Sequence, residues 1–273
     1  MSRMLNPSRL RARRLGGPTA ILELGGLRLL TDPTFDPPGE YDTGRGYRLV
    51  KTAGPACSSE DIDRIDVVLL SHDQHADNLD RSGRSLLGRV PRVLTTVSGA
   101  HRVGAGATPM PPWSHVELQR PEGGTLRVTG VPAQHGPVGA EQLMGEVTGF
   151  VLSGDGLPAV YVSGDNASLQ VVQTIVDRLG QVEVAVVFAG GARTPALGDA
   201  YLTLTSEQTA EAAVILGARS VFPVHFDGWQ HVSEGAESLR RAFSQAGIAD
   251  RLVLSEPGTA IAFAEDGSSG RGD

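Results

Sequence analysis

Four short apolar runs in this chain each end at a histidine or an aspartate, and those side chains are of the types that hold a divalent metal ion. The runs at 65–70, 126–131, 159–162 and 220–224 lead into His72, His135, Asp165 and His225. Runs of this length rich in Val, Leu and Ile read as buried strands. Imidazole and carboxylate are what a zinc-type ion binds, and residues remote in sequence converge when their strands end at one sheet edge. The loop after the first run is the densest: from Ser71 it reads Ser-His-Asp-Gln-His-Ala-Asp-Asn-Leu-Asp, with His72, Asp73, His75, Asp77 and Asp80. A solvated turn with a helix cap at Asn78 or Asp77 accounts for charge in such a loop. It does not account for three further ligand-type residues at three other strand ends.

The elements that must position these residues can be read around them. Apolar runs at 20–24 and 27–31, joined by Gly25-Gly26, have the pattern of a hairpin. A stretch rich in Pro, Gly and Asp follows at 32–46, long enough for a lid or rim. After the His72 strand the pattern predicts a helix at 79–87 and a short strand at 92–96. Alternating strands and turns, including one at 148–152, then surround a helix at 168–179, with Val171, Val172, Ile175, Val176 and Leu179 as its buried stripe. Beyond a strand at 182–189, Thr205 and Gln208 form a capping box that starts a second helix, which Gly217 stops. A third helix at 233–246 precedes final strands near Leu252 and Ile261. Strands and helices in this order predict an α/β layered sandwich forming one domain over 1–265, with a polar, Gly-rich tail at 266–273 expected to be disordered.

Composition narrows the class. Of 273 residues 40% are hydrophobic and 20% charged, as in an ordinary soluble globular protein, and no run is long enough to span a bilayer. A net charge of −7 disfavours broad nucleic-acid binding. The early arginines Arg3, Arg9, Arg11, Arg13 and Arg14 read as a solvated N-terminal segment in preference to an anion-contacting arm, and no apolar h-region of a secretory signal follows them. The single cysteine, Cys57, excludes an intramolecular disulfide and fits a cytoplasmic protein. Gly104-Ala105-Gly106 lacks the rest of a dinucleotide fingerprint, and no phosphate-binding Lys-Ser/Thr follows a glycine loop. Neither a nucleotide cofactor nor a membrane partner is expected.

With its Gly-Gly hairpin, Thr31-Asp32-Pro33, Ser163-Gly164-Asp165 and Pro223-Val224-His225, the chain resembles the metallo-β-lactamase-fold hydrolase superfamily along its full length. Its closer likeness is to the branch of L-ascorbate-6-phosphate lactonase. The resemblance implies a four-layer αββα sandwich with a metal site at one edge. The family loop reads His-x-His-x-Asp-His, and this chain departs from it. Counted back from Asp77, the first histidine position falls on Asp73 and the last on Asn78; counted forward from His72, the second falls on Gln74. One extra residue in the loop reconciles the two counts, letting His72, His75 and Asp77 face the ions with Gln74 displaced.

Carried over on that register, His72, His75 and His135 hold a first ion, Asp165 is shared, and Asp77 and His225 complete a second site. The resemblance implies one or two Zn²⁺ ions, with Mn²⁺ or Fe as alternatives; Asn78 offers an amide oxygen, a poorer zinc ligand than imidazole. Whether Asp73, Gln74 or Asn78 reaches an ion stays open. A bound ion of this kind lowers the pKa of a water molecule from about 15.7 to roughly 7. Asp77 is then expected to orient or deprotonate that water and His231 to donate a proton, with Asp32 supporting the ligands from behind. Phe226, Asp227, Gly228 and Trp229 either line a pocket or pack, and Arg193 and Thr194 are candidates for an anionic group. His101 and His115 read as ordinary surface residues.

The expected function is metal-dependent hydrolysis of a small cytosolic molecule at a lactone, ester, amide or phosphoester bond. Two alternatives stand beside it: phosphodiester cleavage of a nucleic acid, as in other members of the superfamily, and a binding protein whose site has lost its metal through Gln74 and Asn78.

Overall fold

The computed structural model describes residues 10–263 except 45, 105 and 122. The chain opens with strand β1 (Arg11–Gly16), where the sequence had read a solvated segment. Ala12 and Leu15 are buried on it, as is Leu10 just before it, and Arg14 is buried too, because Asp227 takes its charge and the Phe226 ring lies 4.7 Å beneath its guanidinium. Arg3 and Arg9, and the tail at 266–273, lie outside the described residues.

Strands β2 (Thr19–Leu24) and β3 (Leu27–Thr31) form the expected Gly-Gly hairpin. The Pro- and Gly-rich stretch after it contains a small hairpin of its own, β4 (Gly39–Asp42) with β5 (Arg48–Lys51), whose polar sequence hid it. Strand β6 (Val67–Leu69) runs parallel to β3 and carries the chain to His72. Helix α1 (Arg81–Leu87), β7 (Val93–Thr95), α2 (Val97–Val103) and β8 (Ala107–Pro109) complete the first half. Asp80, not Asn78 or Asp77, caps α1: its side chain accepts from the Gly83 amide.

The second half comprises β9 (His115–Gln119), β10 (Thr125–Pro132), α3 (Glu141–Met144), β11 (Thr148–Ser153), β12 (Val160–Val162), α4 (Leu169–Leu179), β13 (Val184–Phe188), α5 (Ser206–Leu216), β14 (Ser220–Val224), α6 (Ala236–Gln245) and β15 (Ala260–Ala262). The capping box of Thr205 and Gln208 opens α5, and Gly217 ends it in the left-handed conformation. Val172 and Ile175 are the buried face of α4, whereas Leu179, expected in that stripe, is 40% exposed at the last turn. Near Leu252 there is a single bridge to Val221 in place of a strand.

A seven-stranded sheet in the order β15-β1-β2-β3-β6-β7-β8 faces a six-stranded sheet in the order β14-β13-β12-β11-β10-β9. Successive strand residues point to opposite faces, and the burial follows. Leu22, Leu29 and Val67 of one sheet meet Val128, Phe150 and Val186 of the other in the central core. Ile21, Leu30 and Val68 point outward onto Leu86 and Leu87 of α1. On the far side Tyr161, Ala185 and Val187 pack on Ile175 of α4, Ala213 of α5 and Phe243 of α6. The layering is αββα. Strands β12, β13 and β14 are mutually parallel, and β10 runs in their sense because the two antiparallel steps through β11 cancel. Their C-terminal ends therefore share one edge of the sandwich, which is where His135, Asp165 and His225 lie. Among the described residues no helix is long and apolar enough to cross a membrane.

Candidate metal centre

At that edge the structure brings together all six residues that the sequence nominated as ligands. Nitrogen atoms of His72, His75 and His135 form one group, and Asp77, His225 and His231 form another; within each, the ligand-type atoms lie within 4.8 Å of one another. His72 Nε2 is 2.9 Å from His75 Nδ1. Asp165 stands between the groups, its Oδ2 3.6 Å from His135 Nε2 and 3.9 Å from His72 Nε2, its Oδ1 3.6 Å from His225 Nε2. Asp77 Oδ2 is 3.4 Å from His225 Nε2 and 3.0 Å from His231 Nε2.

Each side chain is aimed by its local backbone. Gly164 turns the chain out of β12 with φ +59°; a Cβ there would come within 2.7 Å of the Thr148 carbonyl and 2.9 Å of Ser71, so only glycine lets Asp165 follow so tightly. His225 has φ +57°, a conformation costly for a non-glycine residue, held by its amide donating to the Gly17 carbonyl at 2.7 Å. His135 donates from Nδ1 to the Leu202 carbonyl at 2.9 Å, which leaves Nε2 with its lone pair toward Asp165. Ser71 sets the tautomer of His72 in the same way. Its hydroxyl donates to Asp32 and accepts from His72 Nδ1 at 2.9 Å, so His72 Nε2 also presents a lone pair.

The ambiguous loop residues are separated by their partners. Asp73 is turned away and held by Arg102 and Arg84. Gln74 is exposed, its amide lying against Gly145. Asn78 is buried and donates to Asp32 at 2.9 Å. The loop thus presents His72, His75 and Asp77 inward with an additional residue between the two histidines. Phe226 and Trp229 are packing residues of the interior, and Asp227 is spent on Arg14. His101 and His115 are exposed and take no part.

Burial and charge prepare the donors. Burial, with the neighbouring imidazoles adding, holds His72 well below the usual histidine range, and burial lowers His135 to about 4. Burial raises Asp165. Burial opposes charge on Asp77 as well, but the facing imidazoles of His225 and His231 outweigh it and keep that carboxylate well below its ordinary range. His225 is desolvated, yet Asp165 and Asp77 raise it to about 9.

The arrangement fits a cation. Asp77 Oδ1, Asp165 Oδ1 and both ring nitrogens of His225 are buried without a hydrogen-bond partner. Such orphaned groups each cost on the order of 1–3 kcal/mol unless something satisfies them. Buried imidazole nitrogens and carboxylate oxygens converging at one edge are a donor set for a zinc-like ion.

A narrow chamber of about 20 Å³ bordered by His75, Asp77, His135, Asp165 and His231 opens beside the centre. Arg193, Thr194 and His231 also line an outer cleft of about 440 Å³. Sequence reasoning missed the supports. Lys51 and Asp80, both buried and 3.3 Å apart, tie β5 to the start of α1, and Asp80 also accepts from the Asp36 amide. No pattern of spacing links those residues; only the folded chain does.

Comparison with known proteins identifies the family and the fold. The family model described as a beta-lactamase superfamily domain matches residues 27–226. A UPF0173 metal-dependent hydrolase from Anaeromyxobacter sp. (strain K) is 27% identical over 250 residues, 88% of this chain and 81% of that protein. Among solved structures, isothiocyanate hydrolase from Delia radicum gut bacteria superposes with a TM-score of 0.76 at 20% identity, covering 93% of this chain and 99% of that one. CmlA, a diiron beta-hydroxylase from Streptomyces venezuelae, superposes with a TM-score of 0.62 at 16% identity, over 95% of this chain and 54% of that one. The matched span contains His72, His75, Asp77, His135, Asp165 and His225, so the residues gathered at the sheet edge and the fold that gathers them place the chain in one lineage: it belongs to the beta-lactamase superfamily, with the metallo-β-lactamase fold.

Proposed function

We propose that this metal-dependent hydrolase cleaves a small cytosolic metabolite at a lactone or related ester bond, with His72, His75, His135 and Asp165 holding one ion and Asp77, Asp165 and His225 reaching a second. The observation that carries the reading is the convergence of buried, unpartnered carboxylate and imidazole atoms at the edge of the sandwich. Zinc suits the donor set; manganese and iron are the alternatives, and the diiron protein of the same fold keeps iron in view. Bound there, such an ion supplies Lewis acidity and a water acidic enough to attack at neutral pH.

The chain's own part follows from the positions of its residues. Asp77 Oδ1, free of hydrogen bonds, accepts a hydrogen bond from the attacking water and orients it toward the chamber. Leu49, Met144 and Leu202 wall the chamber with apolar surface and keep other water away. Arg193 lines both chamber and outer cleft, with its Nε–H unpartnered, and is positioned to meet a carbonyl or anionic group of the substrate.

Three observations support a small substrate. The outer cleft has the volume of a small molecule, the chain carries a net charge of −7, which repels a polynucleotide, and the inner chamber is narrow. The lactone preference rests on the resemblance to the ascorbate-6-phosphate lactonase branch, and the single cysteine supports a reducing, cytoplasmic setting. Gathering all six ligand-type residues weighs against a binding protein with a degenerate site.

The test is turnover of a panel of lactones, esters, amides and phosphoesters by protein loaded with Zn²⁺, Mn²⁺ or Fe²⁺. Hydrolysis of a small ester-type substrate that chelation or Asp165→Ala abolishes is expected. Loaded protein that hydrolyses only polynucleotides, or nothing in the panel, contradicts the reading.

A further inference from the structure

The resemblance places a histidine where this chain has Asn78, so the second ion lacks one imidazole from the loop. Asn78 is buried, and its Nδ2 is committed to Asp32 at 2.9 Å. Its Oδ1 makes no hydrogen bond and is the competing donor.

An imidazole arrives from elsewhere. His231 Nε2 lies 3.0 Å from Asp77 Oδ2, and His225 Nε2 lies 3.4 Å from the same oxygen. Ligands roughly 2.0–2.1 Å from a tetrahedral ion stand about 3.3 Å from each other, so both separations are those of donors around one centre. The His225 and His231 rings approach edge to face with centroids 6.1 Å apart. Neither has a hydrogen-bonded Nδ1. His231 Nε2 is directed at the carboxylate of Asp77, within the same group of donors as His225.

The segment that carries His231 is fixed along its length. The Thr52 amide donates to the Gly228 carbonyl at 2.8 Å and the Gln230 amide to Val50 at 2.9 Å, while Lys51 and Trp229 form an antiparallel bridge. On the other side the Arg193 amide donates to the His231 carbonyl at 3.0 Å. The β4–β5 hairpin, an insertion among the sandwich strands, thus holds in place a ring that reaches the second group of donors.

We propose that His231 is the third protein ligand of the second ion, standing in space for the histidine that the loop lacks at Asn78. The inference rests on the metallohydrolase reading and adds to it that the second site is complete in this chain by a different route.

Cobalt(II) alone is the probe. Metal-free protein is titrated with it and followed in the near-ultraviolet and visible, for wild type, His231→Cys and Asn78→Cys. A thiolate-to-cobalt charge-transfer band that grows with the second equivalent in His231→Cys, absent from wild type with its own Cys57 and from Asn78→Cys, is expected. A residue that merely orients Asp77 would give no such band. Equilibrium dialysis of His231→Gln supplies a second measurement, carrying the test if the cysteine variant does not fold. The dissociation constant of the second equivalent should rise at least tenfold while that of the first is unchanged. Two equivalents bound by His231→Gln as tightly as by wild type, a His231→Cys variant that binds both without the band, or a wild type that binds only one equivalent overturns the inference and leaves the hydrolase reading standing. A wild type that takes up no cobalt overturns both.

Discussion

Asp32 and Ser71 are joined twice: the Ser71 amide donates to Oδ1 of the carboxylate at 2.6 Å and the Ser71 hydroxyl donates to Oδ2 at 2.5 Å. Through that hydroxyl the carboxylate fixes the His72 ring, and it also anchors Asn78. Asp32 is fully buried and touches no candidate substrate, so its effect runs through the ligands. Asp32→Ala should weaken binding of the first ion by roughly 10–100-fold, the usual cost of losing a group that orients a ligand. Competition against a chelator of known affinity reads this directly, and wild-type affinity in the variant would contradict it.

Lys51 and Asp80 form a buried ion pair, with side chains 4% and 0% exposed. Burial lowers the Lys51 pKa, and Asp80 works against that shift. Lys51→Ala leaves the Asp80 carboxylate buried without its cation, which costs on the order of 3–5 kcal/mol. Because the Lys51 ammonium also lies over the Trp229 ring, 5.4 Å from its centre, the loss should loosen the segment bearing His231. Urea unfolding of the metal-free protein would show it; a change below about 1 kcal/mol would mean that water, or the Asp36 and Gly83 amides that already donate to Asp80, compensates.

Gly83 in α1 has no room for a methyl group, since a Cβ would stand 1.9 Å from the Pro33 carbonyl oxygen. Both sides are backbone, so neither yields cheaply. Gly83→Ala should destabilise by about 3 kcal/mol or more, despite alanine's better helix propensity. Displacing Pro33 moves Asp32, so a stable variant should still bind the first ion more weakly. Unchanged stability would show that α1 shifts as a body.

The metal-free protein should lose stability between pH 7 and 9. His225 is raised to about 9 by Asp165 and Asp77, above its unfolded value near 6.5, so the folded state holds the extra proton. The stabilisation is complete below the unfolded pKa and lost as pH rises through 9, about 2 kcal/mol over this window. The shifts of His72 and His135 are downward and act below pH 6.5, outside it. An ion occupying His225 replaces the proton, so loaded protein should show little of this fall. Thermal melts of chelated and loaded protein across the window check it; a metal-free protein equally stable at pH 7 and 9 would contradict it.

Much of the site was legible because its residues sit where apolar runs stop. Val68, Val128, Tyr161 and Phe222 leave little doubt about strands, and the ends of those strands name His72, His135, Asp165 and His225. The capping box at Thr205 was equally plain, since both of its halves are local. What escaped depended on distant partners. Four arginines in six residues read as a solvated segment until Asp227 and Phe226, more than two hundred residues away, bury Arg14 in β1. The β4–β5 hairpin has too few apolar residues to announce itself, and α2 is short. Leu179 fits the helical period of α4 but lies in its last turn, where the core no longer reaches.

The most direct test of the metal centre is elemental analysis of purified wild-type protein beside Asp165→Ala, after dialysis against a limited excess of Zn²⁺. Asp165 lies between both donor groups, so two equivalents in the wild type and a fall at both sites in the variant are predicted. A wild type that binds no ion, or an Asp165→Ala variant that binds as the wild type does, would contradict the account.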